Sequence, residues 1–413
     1  MRYQFAQYDI DSVELKCLLI SQGLKIDPAV YRKLGSKFRI NPNALTCNCI
    51  KLPDDTIVMA TDLRFHLNTL ASMFSWDNLK LFKYMGDMKT DFSLSYVDGN
   101  AQLLYQNELV CQIFFMPKTH FYQQKTSTGM PFMNNAVLQG CDWVAFQCLW
   151  PCEYACAGKA CQYCFSGGEY EALTRRHKPM PFIPEPKDVA EVIQYAVKHD
   201  GVNSVQITGG STFNPEVEEG YISRYLSAIN EIAGRDNLHG EILLYITPPE
   251  KLGVIDHYFQ LGASRIACSL EVWDDERAAI ITPGKREFTT KARHLRALEY
   301  IAYKYGPGKA FCNFIIGLES LETLEEGATY LAERGIIPSA SVWVPFGKPV
   351  FGSMKAPEME YFRAAKELLG NLYIKYDLHP AGNCGLNVCV ERDIRRWAEQ
   401  LETKGQLSPL PNF

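Results

Sequence analysis

The chain has 413 residues, of which 47% are apolar and 22% are charged, as in ordinary soluble globular proteins. Its 42 basic and 47 acidic residues give a net charge of −5, so no electrostatic feature favours a nucleic acid or a membrane surface as a partner. The sequence has no apolar run of about 18 residues that would cross a membrane and no pattern of a secretory signal peptide, so we expect a cytoplasmic protein.

Residues 1–135 mix short helical and strand patterns. Two runs rich in β-branched and aromatic residues predict strands at 56–63 and 108–116. The polar segment 119–135, which contains Gly and Pro, predicts a linker. We therefore expect an N-terminal α+β domain over residues 1–135, which by analogy alone would recognise substrate or act as a lid.

From about residue 140 onward, short apolar runs alternate with amphipathic stretches. Six runs predict strands, at 141–148, 204–210, 241–247, 264–272, 309–317 and 338–345. Helical patterns lie between them, for example at 187–199 and 321–335. This alternation predicts an α/β fold with a parallel sheet, and six units favour a partial (β/α)6 TIM-like barrel over an eight-fold one. We place this core at residues 136–350 and a C-terminal extension at 351–413.

A cluster of cysteines follows the first core strand, since six of the 14 cysteines fall within 141–164. Clustered cysteines in a reducing compartment indicate metal binding or catalysis rather than disulfides. Cys161 and Cys164 form a CxxC pair, whose thiolates can both turn toward one metal centre. Cys156 would complete a set of three, with Cys152 as the alternative third ligand. Three protein ligands on a four-iron cluster leave one iron open to a small molecule.

The CxxC pair, with the aromatic Tyr163 inside it and a strand before it, resembles the cysteine loop of the radical SAM superfamily. That family has three residues between its first two cysteines, whereas four residues separate Cys156 from Cys161 here. The resemblance implies a [4Fe–4S] cluster on Cys156, Cys161 and Cys164, with S-adenosylmethionine (SAM) bound at the open iron. It also implies that Tyr163 and Phe165 lie at the cofactor, and that a one-electron donor such as flavodoxin or ferredoxin is a partner.

Two glycines mark the end of the second predicted strand, in Thr208-Gly209-Gly210-Ser211. Glycine lets the backbone approach a ligand closely. The resemblance implies that Gly209, Gly210 and Ser211 contact the amino end of the methionine part of SAM. An ordinary turn between strand and helix is the alternative.

Ser269 and Glu271 stand two residues apart in the fourth predicted strand, so their side chains are predicted to share one face. A carboxylate that faces into a barrel needs a partner. The resemblance implies that the ribose hydroxyls or the ammonium group of SAM provide it.

Four further cysteines suggest a second site. Cys268 and Cys312 lie in the fourth and fifth predicted strands, and Cys384 and Cys389 form a C-x4-C pair in the C-terminal extension. The C-x4-C pair could hold an auxiliary iron–sulfur cluster together with Cys312, or together with Cys47 and Cys49 of the N-terminal part. Buried cysteines that pack as small apolar side chains are the alternative.

The reaction implied by the resemblance is reductive cleavage of SAM, which gives methionine and a 5′-deoxyadenosyl radical that abstracts hydrogen from a substrate. One alternative is transfer of a 3-amino-3-carboxypropyl group, because the KACQYCF run also looks like that of the radical SAM enzyme of arsinothricin biosynthesis. The other is a zinc-stabilised (β/α) barrel hydrolase that uses four of the loop cysteines. It would also be expected to use histidine ligands, and none of the eight histidines lies in the motif strands.

Overall fold

The computed structural model describes residues 1–27, 29–30, 48–60, 90–115, 119–140, 142–164, 183–343, 356–381 and 388–407. Within these ranges, no helix combines the length and the apolar character that crossing a membrane requires.

The N-terminal part contains three small sheets. Their strands are β1 (Arg2–Phe5), β2 (Tyr8–Asp11), β3 (Lys25–Ile26), β4 (Asn48–Lys51), β5 (Ile57–Ala60), β6 (Phe92–Val97), β7 (Asn100–Tyr105), β8 (Glu108–Gln112) and β9 (Phe114–Phe115). β1 and β2 form a hairpin, β3, β6, β7 and β8 form a four-stranded sheet, and β4 lies between β5 and β9. The strand predicted at 108–116 is divided into β8 and β9, and the one predicted at 56–63 corresponds to β5.

The described helices follow the predicted alternation. They are α1 (Ser12–Gln22), α2 (Phe132–Asn135), α3 (Glu153–Cys156), α4 (Pro186–Asp200), α5 (Pro215–Ala228), α6 (Gly253–Gln260), α7 (Asp275–Ile281), α8 (Lys291–Tyr305), α9 (Leu321–Glu333), α10 (Met359–Lys375) and α11 (Glu391–Thr403). Single turns of 3-10 or π type occur at Phe121–Gln123, Ile229–Ala233, Arg235–Asn237 and Lys285–Thr289.

The centre of the protein is a seven-stranded sheet whose strands follow their order in the chain. They are β10 (Val137–Gln139), β11 (Trp143–Leu149), β12 (Ser204–Gly209), β13 (Ile242–Tyr245), β14 (Arg265–Ala267), β15 (Ala310–Ile316) and β16 (Ile337–Val342). β10 is antiparallel to β11, and the six strands from β11 to β16 are parallel. Because each strand lies beside the next and such crossovers are right-handed, the connecting helices lie on one face, as in a barrel. The predicted partial (β/α)6 TIM-like barrel with an N-terminal α+β extension is confirmed.

The two faces of this sheet differ in polarity. The strand registers place one set of polar side chains on the same face: Gln147, Gln206, Thr208, Tyr245, Asn313, Ser339 and Ser341. The opposite face carries apolar residues such as Phe146, Ile207, Leu244, Ile266 and Phe314, all at most 3% exposed. The apolar face therefore packs against the helices, and the polar face lines the interior of the barrel.

The segment predicted as a linker, 119–135, is bonded to α4. The Asp200 carboxylate accepts hydrogen bonds from the backbone N–H groups of His120 and Phe121, at 2.7 and 3.0 Å. The Glu191 carboxylate accepts from the backbone and the hydroxyl of Ser127. These bonds fix the segment on the outer helix layer of the barrel.

A buried ionic network joins α1 to the C-terminal helices. The Lys366 ammonium donates to Asp11 and to Glu14, the latter at 2.8 Å. Lys16, on the same helix as Glu14, pairs with Asp393 at 2.7 Å. Burial alone would raise the pKa of Glu14, but the charge of Lys366 and its hydrogen bonds hold that pKa below its ordinary value. The first helix thus packs on the C-terminal extension, whereas the domain boundaries at 135 and 350 stay predictions.

Replacing Lys366 with Met tests this network. The change leaves the carboxylates of Asp11 and Glu14 buried beside an apolar side chain, so the free energy of unfolding should fall by about 3–5 kcal/mol. Arg363→Met is the matched control, because Arg363 also bonds Glu14 but its side chain is 41% exposed. Its loss should cost about 0–1 kcal/mol. Equal losses in urea unfolding of the two variants would show that the network does not hold the termini together.

Candidate active site

The cysteine loop leaves β11 and lies across the end of β12. Glu153, the first residue of α3, donates its backbone N–H to the Ser211 carbonyl at 2.8 Å. The Ser211 N–H donates to the sulfur of Cys152 at 3.3 Å. The Glu153 carboxylate accepts from the Thr212 hydroxyl at 2.8 Å and from the backbone N–H of Phe213. These bonds fix the start of the loop on the turn that contains the predicted glycine pair.

The two glycines have a steric reason to be present. A Cβ on Gly210 would lie 2.5 Å from the Cα of Cys152, and one on Gly209 would lie 2.9 Å from the Cβ of Leu149. Both separations are shorter than side-chain packing allows. The pair therefore lets the cysteine loop approach β12, in addition to the contact with SAM that the resemblance implies.

The far end of the loop is held by the segment after β14. The Gln162 N–H donates to the Ile281 carbonyl at 2.8 Å, and the Gly284 N–H donates to the Lys159 carbonyl at 3.1 Å. A Cβ on Gly284 would lie 2.7 Å from that same carbonyl oxygen. The loop is thus clamped between the β12 turn and the turn that follows α7.

The thiols in this loop differ in exposure. Cys156 is exposed at the end of α3, whereas Cys152, Cys161 and Cys164 are partly exposed, and none of the four is in a disulfide. The Cys164 N–H donates to the Cys161 carbonyl at 3.1 Å, which closes the CxxC segment into a turn. Burial raises the pKa of Cys161 to about 12; the charge of Lys285 opposes the rise, and Cys164, Glu271 and Cys152 add to it. Both Cys152 and Cys156 remain candidates for the third ligand.

The loop thiols have the donor chemistry of an iron–sulfur site, because such clusters are held by cysteine thiolates and these thiols are not in disulfides. Within the described ranges, no three His, Cys, Asp or Glu side chains converge as ligands of one metal ion.

The aromatic residue of the CxxC pair anchors the loop to the barrel. Tyr163 packs against an apolar cluster that contains Val272, Ile281, Ile315 and Trp343. Burial raises the pKa of Tyr163 well above its ordinary value, so its hydroxyl stays protonated. Phe165, the other predicted aromatic neighbour of the cofactor, lies outside the described residues.

Glu271 does not belong to a continuous strand, so the strand predicted at 264–272 is too long. β14 ends at Ala267, and the chain pairs with β15 again only at Glu271, which has a left-handed backbone with φ of +74°. Two backbone hydrogen bonds hold this conformation, from the Glu271 N–H to Asn313 and from the Ile315 N–H to Glu271, both 2.9 Å long. A left-handed glutamate is uncommon and is kept only where its surroundings enforce it.

The Glu271 carboxylate has partners within the chain. Lys285 donates to Oε1 at 2.9 Å, and the Asn313 side-chain amide donates to Oε2 at 2.6 Å. Lys285 also donates to the Ser269 carbonyl at 2.7 Å, which brings the two predicted SAM-binding residues to one ammonium group. Burial alone would lower the pKa of Lys285, but Glu271 and Cys161 raise it above its ordinary value. From the sequence, SAM was expected to be the partner of the Glu271 carboxylate. In the structure, Lys285 and Asn313 already bind this carboxylate.

Nothing in the sequence indicated a role for Lys285 or Asn313. Lys285 ends a Pro-Gly-Lys turn at 283–285, and such a turn does not indicate the direction of the lysine side chain. Asn313 is one polar residue in an apolar strand, and its amide oxygen accepts from the Ser341 hydroxyl at 3.0 Å. Together these residues form a polar row inside the barrel beside the cysteine loop.

The cysteines suggested for a second cluster lie on different faces of the sheet. Cys389 contacts the Ser341 hydroxyl at 3.4 Å, and residues 388–390 pair with β16 through bonds from Val342 and Val390. Cys312 alternates with Asn313, so its side chain lies on the apolar face. Cys268 and Cys312 are fully buried. Cys47 and Cys384 lie outside the described residues, so an auxiliary cluster stays a prediction.

Glu218 is a buried carboxyl group that sequence analysis missed. It lies on α5, is 6% exposed, and accepts a hydrogen bond from the Thr247 N–H at 3.0 Å, just after β13 ends. Burial raises the pKa of Glu218 from 4.5 to about 7, despite the hydrogen bond from Thr247. Glu218 is one of several acidic residues in the sequence of α5, and nothing in that sequence indicated that its side chain is buried.

The chain resembles known proteins both in sequence and in structure. No protein-family model matches the chain. The chain is 24% identical, over 265 residues, to bacteriochlorophyllide c C-7(1)-hydroxylase of Chlorobaculum limnaeum. That match covers 61% of this chain and 65% of the relative, which is less than two thirds of the relative's length.

Solved structures with a related arrangement include a radical SAM methyltransferase from Sphaerobacter thermophilus (14% identity, TM-score 0.41, covering 78% of this chain and 92% of that one). Another is coproporphyrinogen III oxidase (HemN) from Escherichia coli, which is a radical SAM enzyme. It is 16% identical with a TM-score of 0.35, and the match covers 57% of this chain and 53% of that one. The FeFe-hydrogenase maturase HydG from Carboxydothermus hydrogenoformans is 16% identical with a TM-score of 0.40, and the match covers 58% of this chain and 53% of that one. The chain is similar to radical SAM enzymes.

Gly210→Ala tests the packing of the cysteine loop on β12. The added methyl group would overlap the backbone of Cys152, so the free energy of unfolding should fall by about 1–3 kcal/mol, and amide exchange should accelerate across 152–164. Gly220→Ala is the control, since a Cβ there has open space in α5 and should stabilise the helix by about 0.5–1 kcal/mol. Unchanged exchange in Gly210→Ala would refute the close packing.

Glu218→Gln tests the buried carboxyl group. In the unfolded chain Glu218 ionises near pH 4.5, whereas in the folded protein it stays neutral to about pH 7. The wild-type free energy of unfolding should therefore carry a component that falls between these pH values, by roughly 3 kcal/mol at most. The glutamine variant lacks this component, so it should be the more stable protein at pH 8 and nearly equal at pH 4. Parallel pH profiles in urea unfolding would contradict the assignment.

Proposed function

We propose that this chain is a cytoplasmic radical SAM enzyme that holds a [4Fe–4S] cluster on Cys156, Cys161 and Cys164 and cleaves SAM reductively. One observation carries the proposal: the CxxC loop is fixed between the glycine turn of β12 and the turn after α7, beside the Glu271–Lys285 pair. All these elements meet at the carboxyl ends of the parallel strands, where folds of this type place their chemistry. Reducing conditions in the cytoplasm keep such thiols free.

A bound [4Fe–4S] cluster would supply one electron to the sulfonium of SAM, whose C–S bond then breaks to give methionine and a 5′-deoxyadenosyl radical. The chain's own residues bind, orient and shield the reactants. The clamped loop would hold the thiolates in place, and Tyr163 packs the loop against the apolar cluster of Val272, Ile281, Ile315 and Trp343. This apolar wall limits the access of water to a reactive intermediate.

SAM would be recognised by groups at the ends of β12 and β14. The turn at Gly209 and Gly210 exposes backbone polar atoms next to the loop, and Ser211 follows them. Ser269 and Glu271 lie across the sheet at the same edge. A carboxylate has about four lone-pair sites, and Glu271 uses two of them for Lys285 and Asn313. It can therefore accept a further hydrogen bond from a hydroxyl or ammonium group of SAM without losing its partners.

The reaction class we propose begins with abstraction of hydrogen from a carbon of the substrate. The sequence relative is named a hydroxylase, and hydroxylation replaces a C–H bond, which agrees with that first step. We propose only this class of reaction for the chain, and we do not propose that bacteriochlorophyllide is its substrate. A one-electron donor such as flavodoxin or ferredoxin would be the partner. Neither 3-amino-3-carboxypropyl transfer nor a zinc hydrolase gains a supporting contact from the described residues.

The test is SAM cleavage by the anaerobically purified protein after reconstitution with iron and sulfide. With dithionite and SAM, mass spectrometry should detect 5′-deoxyadenosine. Iron content and turnover should fall at least about 100-fold in Cys161→Ala and Cys164→Ala, because two ligands alone do not retain a cluster. Cys111→Ala is the control, since Cys111 is a partly exposed thiol in β8.

The same assay separates the two candidates for the third ligand. We expect Cys156→Ala to lose both iron and product and Cys152→Ala to retain them; the reverse result would assign the ligand to Cys152. Methylthioadenosine in place of 5′-deoxyadenosine would establish transfer of the aminocarboxypropyl group instead. A protein that binds zinc and leaves SAM unchanged would refute the proposal.

A further inference from the structure

A small cavity lies beside Lys285 and His294. Its volume is about 10 Å³; Leu270, Val272 and Trp273 form its apolar wall, and its polar lining also includes Asp275, Thr282, Arg286 and Lys291. A cavity of this size has room for about one water molecule, and water enters only where polar groups can bind it. Lys285 and His294 both line the cavity and supply such groups.

His294 presents an unused acceptor. It lies on α8, is 2% exposed, and its Nδ1 lies 2.9 Å from the Thr290 carbonyl. A carbonyl only accepts, so Nδ1 carries the proton and Nε2 keeps a lone pair. Burial, followed by the charge of Lys285, lowers the pKa of His294 to about 3, so the ring stays neutral. Among the described residues Nε2 makes no hydrogen bond, and it is not one of the fully buried polar atoms that lack a partner, which agrees with its place on the cavity wall.

Lys285 presents an unused donor. An ammonium group has three N–H bonds. Two of them are used, by the Ser269 carbonyl at 2.7 Å and by Glu271 at 2.9 Å. Within the described part of the chain, the third N–H has no acceptor at hydrogen-bond distance. The Lys285 side chain is 19% exposed, so water can reach the ammonium group, and an acceptor at the third position would complete its hydrogen bonds.

We propose that one ordered water fills this cavity, accepts a hydrogen bond from Lys285 Nζ, and donates one to His294 Nε2. His294 is then a positioning residue, which acts on the interior of the barrel through the water and Lys285. The water completes the hydrogen bonds of an ammonium group that already holds Glu271 and Ser269 in place. The water and its two bonds do not depend on SAM chemistry; only their effect on SAM binding rests on the proposed function.

The first test is a high-resolution crystal structure of the protein as isolated. It should show a water oxygen about 2.7–3.2 Å from both Lys285 Nζ and His294 Nε2. An empty cavity, or a Lys285 ammonium turned toward Cys161 instead, would overturn the proposal.

The second test compares two replacements of His294 in two backgrounds. Asparagine reproduces the Nδ1 donor to Thr290 but lacks the acceptor, whereas glutamine can place an acceptor where Nε2 stands. His294→Asn should raise the unfolding equilibrium constant at least about tenfold, and His294→Gln less than about threefold. In a Lys285→Met background both changes should have the same small effect, because the partner of the water is gone.

Equal effects of His294→Asn with and without Lys285 would show that the histidine acts by packing alone, and would overturn the proposal. If Lys285→Met does not fold, the crystal structure and the asparagine–glutamine comparison still decide it. Weaker SAM binding by His294→Asn, measured as a dissociation constant, would extend the proposal to the active site. None of the stability readouts requires SAM cleavage, so failure of the proposed function would be seen separately.

Discussion

The close approach of the cysteine loop to the end of β12 is the constraint on which the site depends. The backbone of Cys152 occupies the space that a side chain at residue 210 would need, so only glycine permits the contact. Bonds from Ser211 and Glu153 then fix the start of the loop, and the turn after α7 fixes its end. A loop held at both ends keeps its thiols in place before any cofactor binds, which reduces the entropy lost on binding.

The Glu271–Lys285 pair links this loop to the rest of the barrel. The pair is largely shielded from solvent, with 19% of the Lys285 side chain and 10% of the Glu271 side chain exposed, and such an ion pair is favourable only when further hydrogen bonds satisfy both partners. Asn313 and the Ser269 carbonyl supply those bonds. Because Asn313 also accepts from Ser341, a continuous set of contacts runs from the cysteine loop to β16 and the segment that contains Cys389. Among the described residues of this row, the negative charge of Glu271 is therefore balanced by the positive charge of Lys285.

Much of the fold could be predicted because helices and strands carry local periodicity. The six core strands and helices such as α4 and α9 fall where the sequence pattern placed them. The strand around Glu271 was predicted as continuous because Ser269-Leu270-Glu271-Val272 alternates in polarity, which a bend in the backbone does not disturb. Contacts between residues far apart in sequence had no local signal: Lys366 binds Glu14 across 352 positions. For the same reason the partners of Lys285 and Glu218 appeared only in the structure.

The central claim is that the loop thiols hold a cluster with one iron open to SAM. Electron paramagnetic resonance of the dithionite-reduced protein, recorded with and without SAM, tests it most directly. The account predicts a signal from a reduced four-iron cluster that changes in shape when SAM is added, because SAM binds the open iron. A cluster signal that SAM leaves unchanged, or a protein that holds no iron–sulfur cluster after reconstitution, would contradict it.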